Sequence, residues 1–488
     1  MFGLGLLGKL SVPILLTIAI LWLFTKLQQF MLWLLRKLFP SYFSNSQSSQ
    51  LKVTSKPSFT LRLVKHIVVG LATFSIVFYL FEVAPNLMES EESKLDRFMY
   101  YISQLIPPKP SAKIPSFVLI DIEEKTIAEW SIKHYTPRNK LVNLIETAVK
   151  TEPKLIIVDV DISKKVKDNS ENDILINYLR KYSEQCQTNK CPPVIFIRGL
   201  SIVEKQQFYN LTSDFTKLEE IIEKHPNLLH WASANFIPLG TSKTIRGWKL
   251  WLPTCNSENK PGIIPSVQLL TRELLQGGSE QDIQSGLSQL LPNCSGNKAI
   301  LPKISTYKGL NISTIAEDIR HRIIYRIPYK NSEILQIFPA HDFFNHSNLN
   351  FNEKIVVIGS QFGDRENTYH TTPINNNLPG SILVINAIYS LLQYGIIEPI
   401  PILGWLLIAL FLIVVITLTY FLTKKIEIKS STKWKTVSLI IILAIVFYGV
   451  TAFSLYQFSI WLNIAIFSLI LQTLFLFQDA EELYNDKE

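Results

Sequence analysis

Three uninterrupted apolar stretches crowd the end of this chain, and they constrain its fold more than any other feature. They are Ile402–Leu422 (ILGWLLIALFLIVVITLTYFL), Val437–Leu455 (VSLIIILAIVFYGVTAFSL) and Ile460–Phe477. A helix crosses the hydrocarbon of a bilayer with about 20 apolar residues. A surface helix of a water-soluble domain would show a polar stripe, and these show none. Each is therefore read as a transmembrane helix. A fourth, at 62–85, is centred on the uncharged run His66–Phe81 (HIVVGLATFSIVFYLF). Residues 1–38 are apolar from Leu10 to Thr25, broken at Lys26, Gln28 and Gln29, and apolar again from Phe30 to Leu35. They are read as a further span, with an interfacial helix or a signal-anchor as the alternatives. No small-residue cleavage pattern follows, which disfavours a removed signal peptide. The composition agrees: 47% of residues are hydrophobic and only 18% charged, against about 25% charged in an ordinary globular domain.

Lysine and arginine in short loops orient such spans, because they stay on the cytoplasmic side. The linker 39–61 and its borders carry Arg36, Lys37, Lys52, Lys56, Arg62 and Lys65, and the loop 423–436 carries Lys424, Lys425, Lys429, Lys433 and Lys435 against Glu427 alone. Both are expected in the cytoplasm, with the tail 478–488. Residues 86–401 are then expected outside it, in a multi-pass protein of the plasma membrane. The net charge of +8 sits beside apolar runs, so it points to membrane lipid and not to nucleic acid.

All four cysteines, Cys186, Cys191, Cys255 and Cys294, fall in that outer region. An even count confined to one compartment suits disulfides in an oxidising space. The natural pairing is Cys186–Cys191 with Cys255–Cys294, one of three. Four free thiols or a zinc site are the alternatives, the latter weakened by the lack of nearby histidines.

Within the outer region, Ser116–Ile122 (SFVLIDI), Lys154–Ile162 (KLIIVDVDI), Pro193–Ile197 (PVIFI) and Lys354–Ile358 (KIVVI) read as buried strands. Asn139–Lys150 reads as an intervening helix. Strand, helix, strand implies an α/β domain with a mostly parallel or mixed sheet. Asp121, Glu123 and Glu124, then Asp159 and Asp161, then Asp364 lie at or beyond the carboxyl ends of these strands, where open α/β sheets bind ligands. They could hold a cation, act as acid or base, cap helices, or pair with Arg138, Arg246 and Arg365.

Two segments carry a resemblance. FVLIDIEEKTIAEW with TPRNKLVNLIETAVKTEPKLIIVDVDIS resembles the opening of the CHASE2 domain, an extracytoplasmic sensory module of bacterial receptors; Asp121, Glu123, Thr126, Pro137, Arg138 and Asp159 stand at its positions. IVVIGSQFGDRENTYHTTPINNNLPGSILVINAIYSLL resembles its closing signature through Gly359, Asp364, His370, Thr372, Pro373, Pro379, Gly380 and Asn386. HWASANFIPLGTSKTIRGWKLW resembles a degenerate form of its central hairpin, with Arg246 retained. His134–Tyr135–Thr136 departs from the family's Trp-Pro, and no Asp-Gly turn precedes Arg246.

The resemblance implies a sensor that binds an extracytoplasmic ligand or partner, with Asp121, Glu123, Arg138, Asp159, Asp161, Arg246, Asp364, His370 and Thr372 as its candidate contacts. The family commonly continues into an output domain. Only about ten residues follow the last span, so a separate protein partner is expected to carry the output. A scaffold or assembly subunit is the main rival reading, and an enzyme using Asp121 and Asp159 the lesser one. No nucleophile elbow, P-loop or HExxH is present, so no catalytic residue or cofactor is expected. HDFFNH (His341–His346) lacks the spacing that puts both imidazoles on one helical face, and no metal site is expected there.

Overall fold

In the computed structural model the described residues run from Ile114 to Gly395, with breaks at 133–134, 188–190, 200, 203–208, 211–214, 235, 237, 240–243, 256–260, 289–303, 309, 314–320, 346–348, 361–368 and 374–377. Every residue of β1 (Phe117–Ile122) is buried, which is why the sequence there is a continuous apolar run. Phe117 and Leu119 enter one core, while Val118, Ile120 and Ile122 enter another. The same two-sided split recurs in β2 (Leu155–Asp159) and β3 (Val194–Ile197), and in β8 (Ile355–Ser360). With β4 (Leu229–Ala232) and β7 (Leu335–Pro339) they form a six-stranded sheet in the order β7-β1-β8-β2-β3-β4, parallel throughout.

Helices cover both faces, as a sheet buried on two sides requires. Helices α2 (Arg138–Lys150), α3 (Asn169–Gln185) and α4 (Thr216–Lys224) pack on one face, after a short α1 (Glu124–Glu129). A hairpin of β5 (Trp251–Cys255) and β6 (Pro261–Pro265) leads into α5 (Val267–Leu275) through the N-cap Ser266, whose Oγ accepts from the Leu269 amide. Helix α5, α6 (Glu280–Leu287) and α7 (Gly380–Tyr394) contribute to the core of the other face. The result is a three-layer α/β domain.

The four strands expected from sequence are all present, and the expected helix starts one residue early, at Arg138. Strands β4 (LHWA) and β7 (LQIFP) escaped notice because each is short and interrupted by polar residues or proline. Cys186 and Cys191 form a disulfide that ties the end of α3 to the approach to β3. Cys294 lies outside the described residues, and the second expected pair with it. So do the apolar stretches 1–38, 62–85, 402–422, 437–455 and 460–477 and the segments 39–61, 423–436 and 478–488. Among the described residues no helix is long and apolar enough to cross a membrane.

One close approach sets the position of α7. A Cβ on Gly359 of β8 would stand 2.5 Å from the Cβ of Ser381 in the first turn of α7. Gly359→Ala is therefore predicted to destabilise the full-length protein by about 1–3 kcal/mol, the range for overpacking a tight core. Adding Ser381→Gly should recover most of that loss, and thermal unfolding of the single and double variants measures both.

Candidate functional site

At the carboxyl edge of the sheet, Asp121, Gly359 and Asp159 stand side by side on β1, β8 and β2. Neighbouring strands lie about 4.8 Å apart, so the glycine separates two carboxylate-bearing positions, and Ser381 fills the space above it. The pleat turns all three residues toward the face that α7 covers, the side entered by Leu119, Ile157 and Val357.

Asp121 is buried and accepts a hydrogen bond from the Tyr329 hydroxyl. Tyr329 is delivered by a segment clamped to α7. Asn386 Oδ1 accepts from the amides of Arg326 and Ile327 at 2.9 Å each, and its Nδ2 donates to the Ile327 carbonyl. One turn on, Ser390 Oγ accepts from the Ile324 amide at 2.8 Å. The Tyr325 hydroxyl donates to the Ile245 carbonyl. Helix α7 thus holds the chain that satisfies Asp121.

Among the described residues none supplies Asp159 with a comparable donor. Part of its surface remains accessible, yet its carboxyl is surrounded, and burial raises its pKa to about 6. His370 lies against the start of α7, where a Cβ on Gly380 would stand 3.6 Å from its Nε2. Burial holds its pKa below the usual histidine value. Ser381 Oγ is buried and has no hydrogen-bond partner among the described residues.

The other predicted residues do different work. Arg138 opens α2 almost fully buried, with Nη2 donating to the Lys164 carbonyl at 3.1 Å. Burial pulls its pKa down, and Asp161 and Glu171 oppose the shift. The Arg138 and Asn139 amides both donate to Glu171, which satisfies the free N–H groups of that helix start. Asp161 accepts from the amide and hydroxyl of Ser163 at 2.9 and 2.6 Å and presses against Gly199. Glu123 stands at the N-cap of α1 and meets His341 Nδ1 at 3.2 Å. Arg246 and Thr372 are buried on either side of a backbone bond from Ile245 to Thr371. Asp364 lies outside the described residues. The site that assembles is therefore Asp121, Asp159 and His370 around the start of α7. Among the described residues, no three His, Cys, Asp or Glu side chains converge as metal ligands.

A cleft of about 440 Å³ lies beside β4, the last strand of the sheet. Helix α4 forms one wall, and the β5–β6 hairpin and α6 the other. Arg198 and Glu219 form a two-contact ion pair at its rim, 3.2 and 3.1 Å, and the Arg198 guanidinium lies over the Trp231 ring.

Residues 70–420 match the model of the CHASE2 domain family. The chain belongs to that family. The matched CHASE2 range contains all of the described domain and reaches into the apolar stretches on both sides. No curated protein and no solved structure matches the chain. CHASE2 domains are sensory domains, so the ligand edge of this sheet is read in that light. Sequence inspection missed Tyr329, Ser381 and Ser390. The available signal was polar Ser381, Asn386 and Ser390 recurring along an otherwise apolar helix.

The raised carboxyl of Asp159 gives a signed prediction. Folded and unfolded chains both hold its proton below about pH 4, and above about pH 6 the folded chain carries a poorly solvated charge. Stability from this group therefore falls as pH rises between those limits. Asp159→Asn should match wild type below about pH 4 and exceed it by about 1–3 kcal/mol above pH 6.5. Urea unfolding across pH 3.5–8 reads the difference; a flat difference contradicts the assignment.

Proposed function

We propose that this CHASE2 protein is an outward-facing membrane sensor. Residues 86–401 bind an extracytoplasmic ligand or partner. The spans at 62–85 and 402–422 carry the resulting shift to a separate cytoplasmic protein that holds the output. On this reading the protein contacts membrane lipid through its spans and the basic segments 39–61 and 423–436, does not itself catalyse a reaction, and uses no cofactor.

The observation that supports the reading is the placement of α7. Its first turn is seated at the carboxylate edge, against Gly359 and His370. Its 15 residues extend about 22 Å, buried almost throughout. It ends at Gly395, whose φ of 74° and ψ of −150° belong essentially to glycine alone. From Gly395 to Ile402, the start of the next apolar stretch, is 402 − 395 = 7 positions. A shift at the edge would thus be handed along one stiff element toward the membrane. The energy available is the difference in ligand affinity between two arrangements of the domain, about 1.4 kcal/mol for each factor of ten.

Gentle solubilisation and affinity purification of the full-length chain from its native membranes tests the proposal. The expected result is stoichiometric recovery of a signalling enzyme or regulator. Recovery of structural subunits alone would replace the sensor with an assembly role.

A further inference from the structure

The cleft beside β4 is open, and its wall holds two buried donors with no acceptor among the described residues. We propose that this cleft is the binding site for a small zwitterion, a molecule carrying an ammonium group and a carboxylate like a free amino acid. Two sets of groups argue for the two charges.

On one wall, Trp231 is 7% exposed, and among the described residues its indole N–H has no hydrogen-bond partner. Arg198 Nε is buried beside it and equally unpartnered among the described residues. A buried donor left without an acceptor is costly, and a ligand carboxylate seated against this wall would supply one. The Phe196 ring packs edge-on against Trp231, with centroids 6.0 Å apart, and fixes the indole from behind.

The opposing groups are acidic. Arg198 and Glu219 neutralise each other, leaving Glu223 and Glu280 as the excess charge of the lining. Glu219 and Glu223 are four residues apart and share one face of α4. Glu280 Oε2 also meets His230 Nδ1 at 3.3 Å, which anchors the α6 wall to β4. A cation alone would leave the indole and guanidinium donors unmet, and an anion alone would face the two glutamates. A zwitterion meets both, and about 440 Å³ is within the range of small-molecule sites.

The walls meet where the end of β4 is hydrogen-bonded to the end of β6, Ser233 N–H donating to the Pro265 carbonyl at 2.9 Å. Helix α4 and β4 are part of the main sheet body, whereas β6 and α6 are joined to α7 through α5, which packs on both helices. A ligand held in the cleft would bear on α6 and, through α5, on α7. This last step rests on the sensor reading, but the binding site does not.

Isothermal titration calorimetry on the full-length chain in nanodiscs decides the matter. The probes are the free L-amino acids singly, with spermidine as a cation, succinate as an anion and glucose as a neutral polyol. At least one amino acid should bind, with none of the three controls matching it. Glu223→Gln, an exposed substitution, should weaken that binding tenfold or more. Trp231→Phe, which keeps the ring and removes the N–H, should do the same. Absence of any amino-acid binding, equal binding of a control, or unchanged affinity in Glu223→Gln overturns the proposal. Binding that follows these rules with no signalling partner recovered would remove the sensor reading and leave the site standing.

Discussion

Helix α7 can reach the sheet only because residue 359 has no side chain. That single contact, Gly359 against Ser381, fixes where the helix begins. The start of the helix in turn sets the height of Asn386 and Ser390 along the sheet, since each residue rises about 1.5 Å. Those two side chains hold residues 324–327, and the held segment carries Tyr329 to Asp121. The polar order of the carboxylate edge is thus a consequence of packing one helix on one glycine.

The edge also shows how two carboxylates on neighbouring turns of chain acquire opposite characters. Asp159 and Asp161 are two residues apart. Asp159 is on the strand, faces the α7 layer and loses hydration with no donor to it among the described residues, and burial raises its pKa to about 6. Asp161 is past the strand end, where the backbone turns, and Ser163 supplies two donors. Asp159 is thus a buried acid at the carboxyl edge of the sheet, and Asp161 an acid held in a turn.

Much of this architecture is legible in the residues. FVLI, LIIV, VIFI and IVVI are unbroken apolar runs because parallel strands between two helix layers have no wet face. Asp121 and Asp159 were readable as edge residues because each follows four apolar positions. Their separation by Gly359 was not readable, since β8 comes about 200 residues later in the chain and pairing between distant parallel strands leaves no local signature. Trp231 and Arg198 were invisible for the same reason: their meeting depends on β3 and β4 being neighbours, and LHWA is too short and too polar at His230 to announce a strand. The resemblance to CHASE2, carried by short motifs at both ends of the region, spans residues whose local patterns say little.

A domain in which one buried helix joins a ligand-type edge to the approach of an apolar stretch suits a sensor, and the proposal stands on which side of the membrane that domain lies. Single-cysteine variants Lys125→Cys, in the exposed first turns of the domain, and Lys429→Cys, in the basic loop, can be treated in intact cells with a membrane-impermeant maleimide and mapped by peptide mass spectrometry. The account predicts modification at residue 125 in intact cells and at residue 429 only after permeabilisation. Modification at 429 from outside, with 125 protected until the membrane is opened, would contradict it.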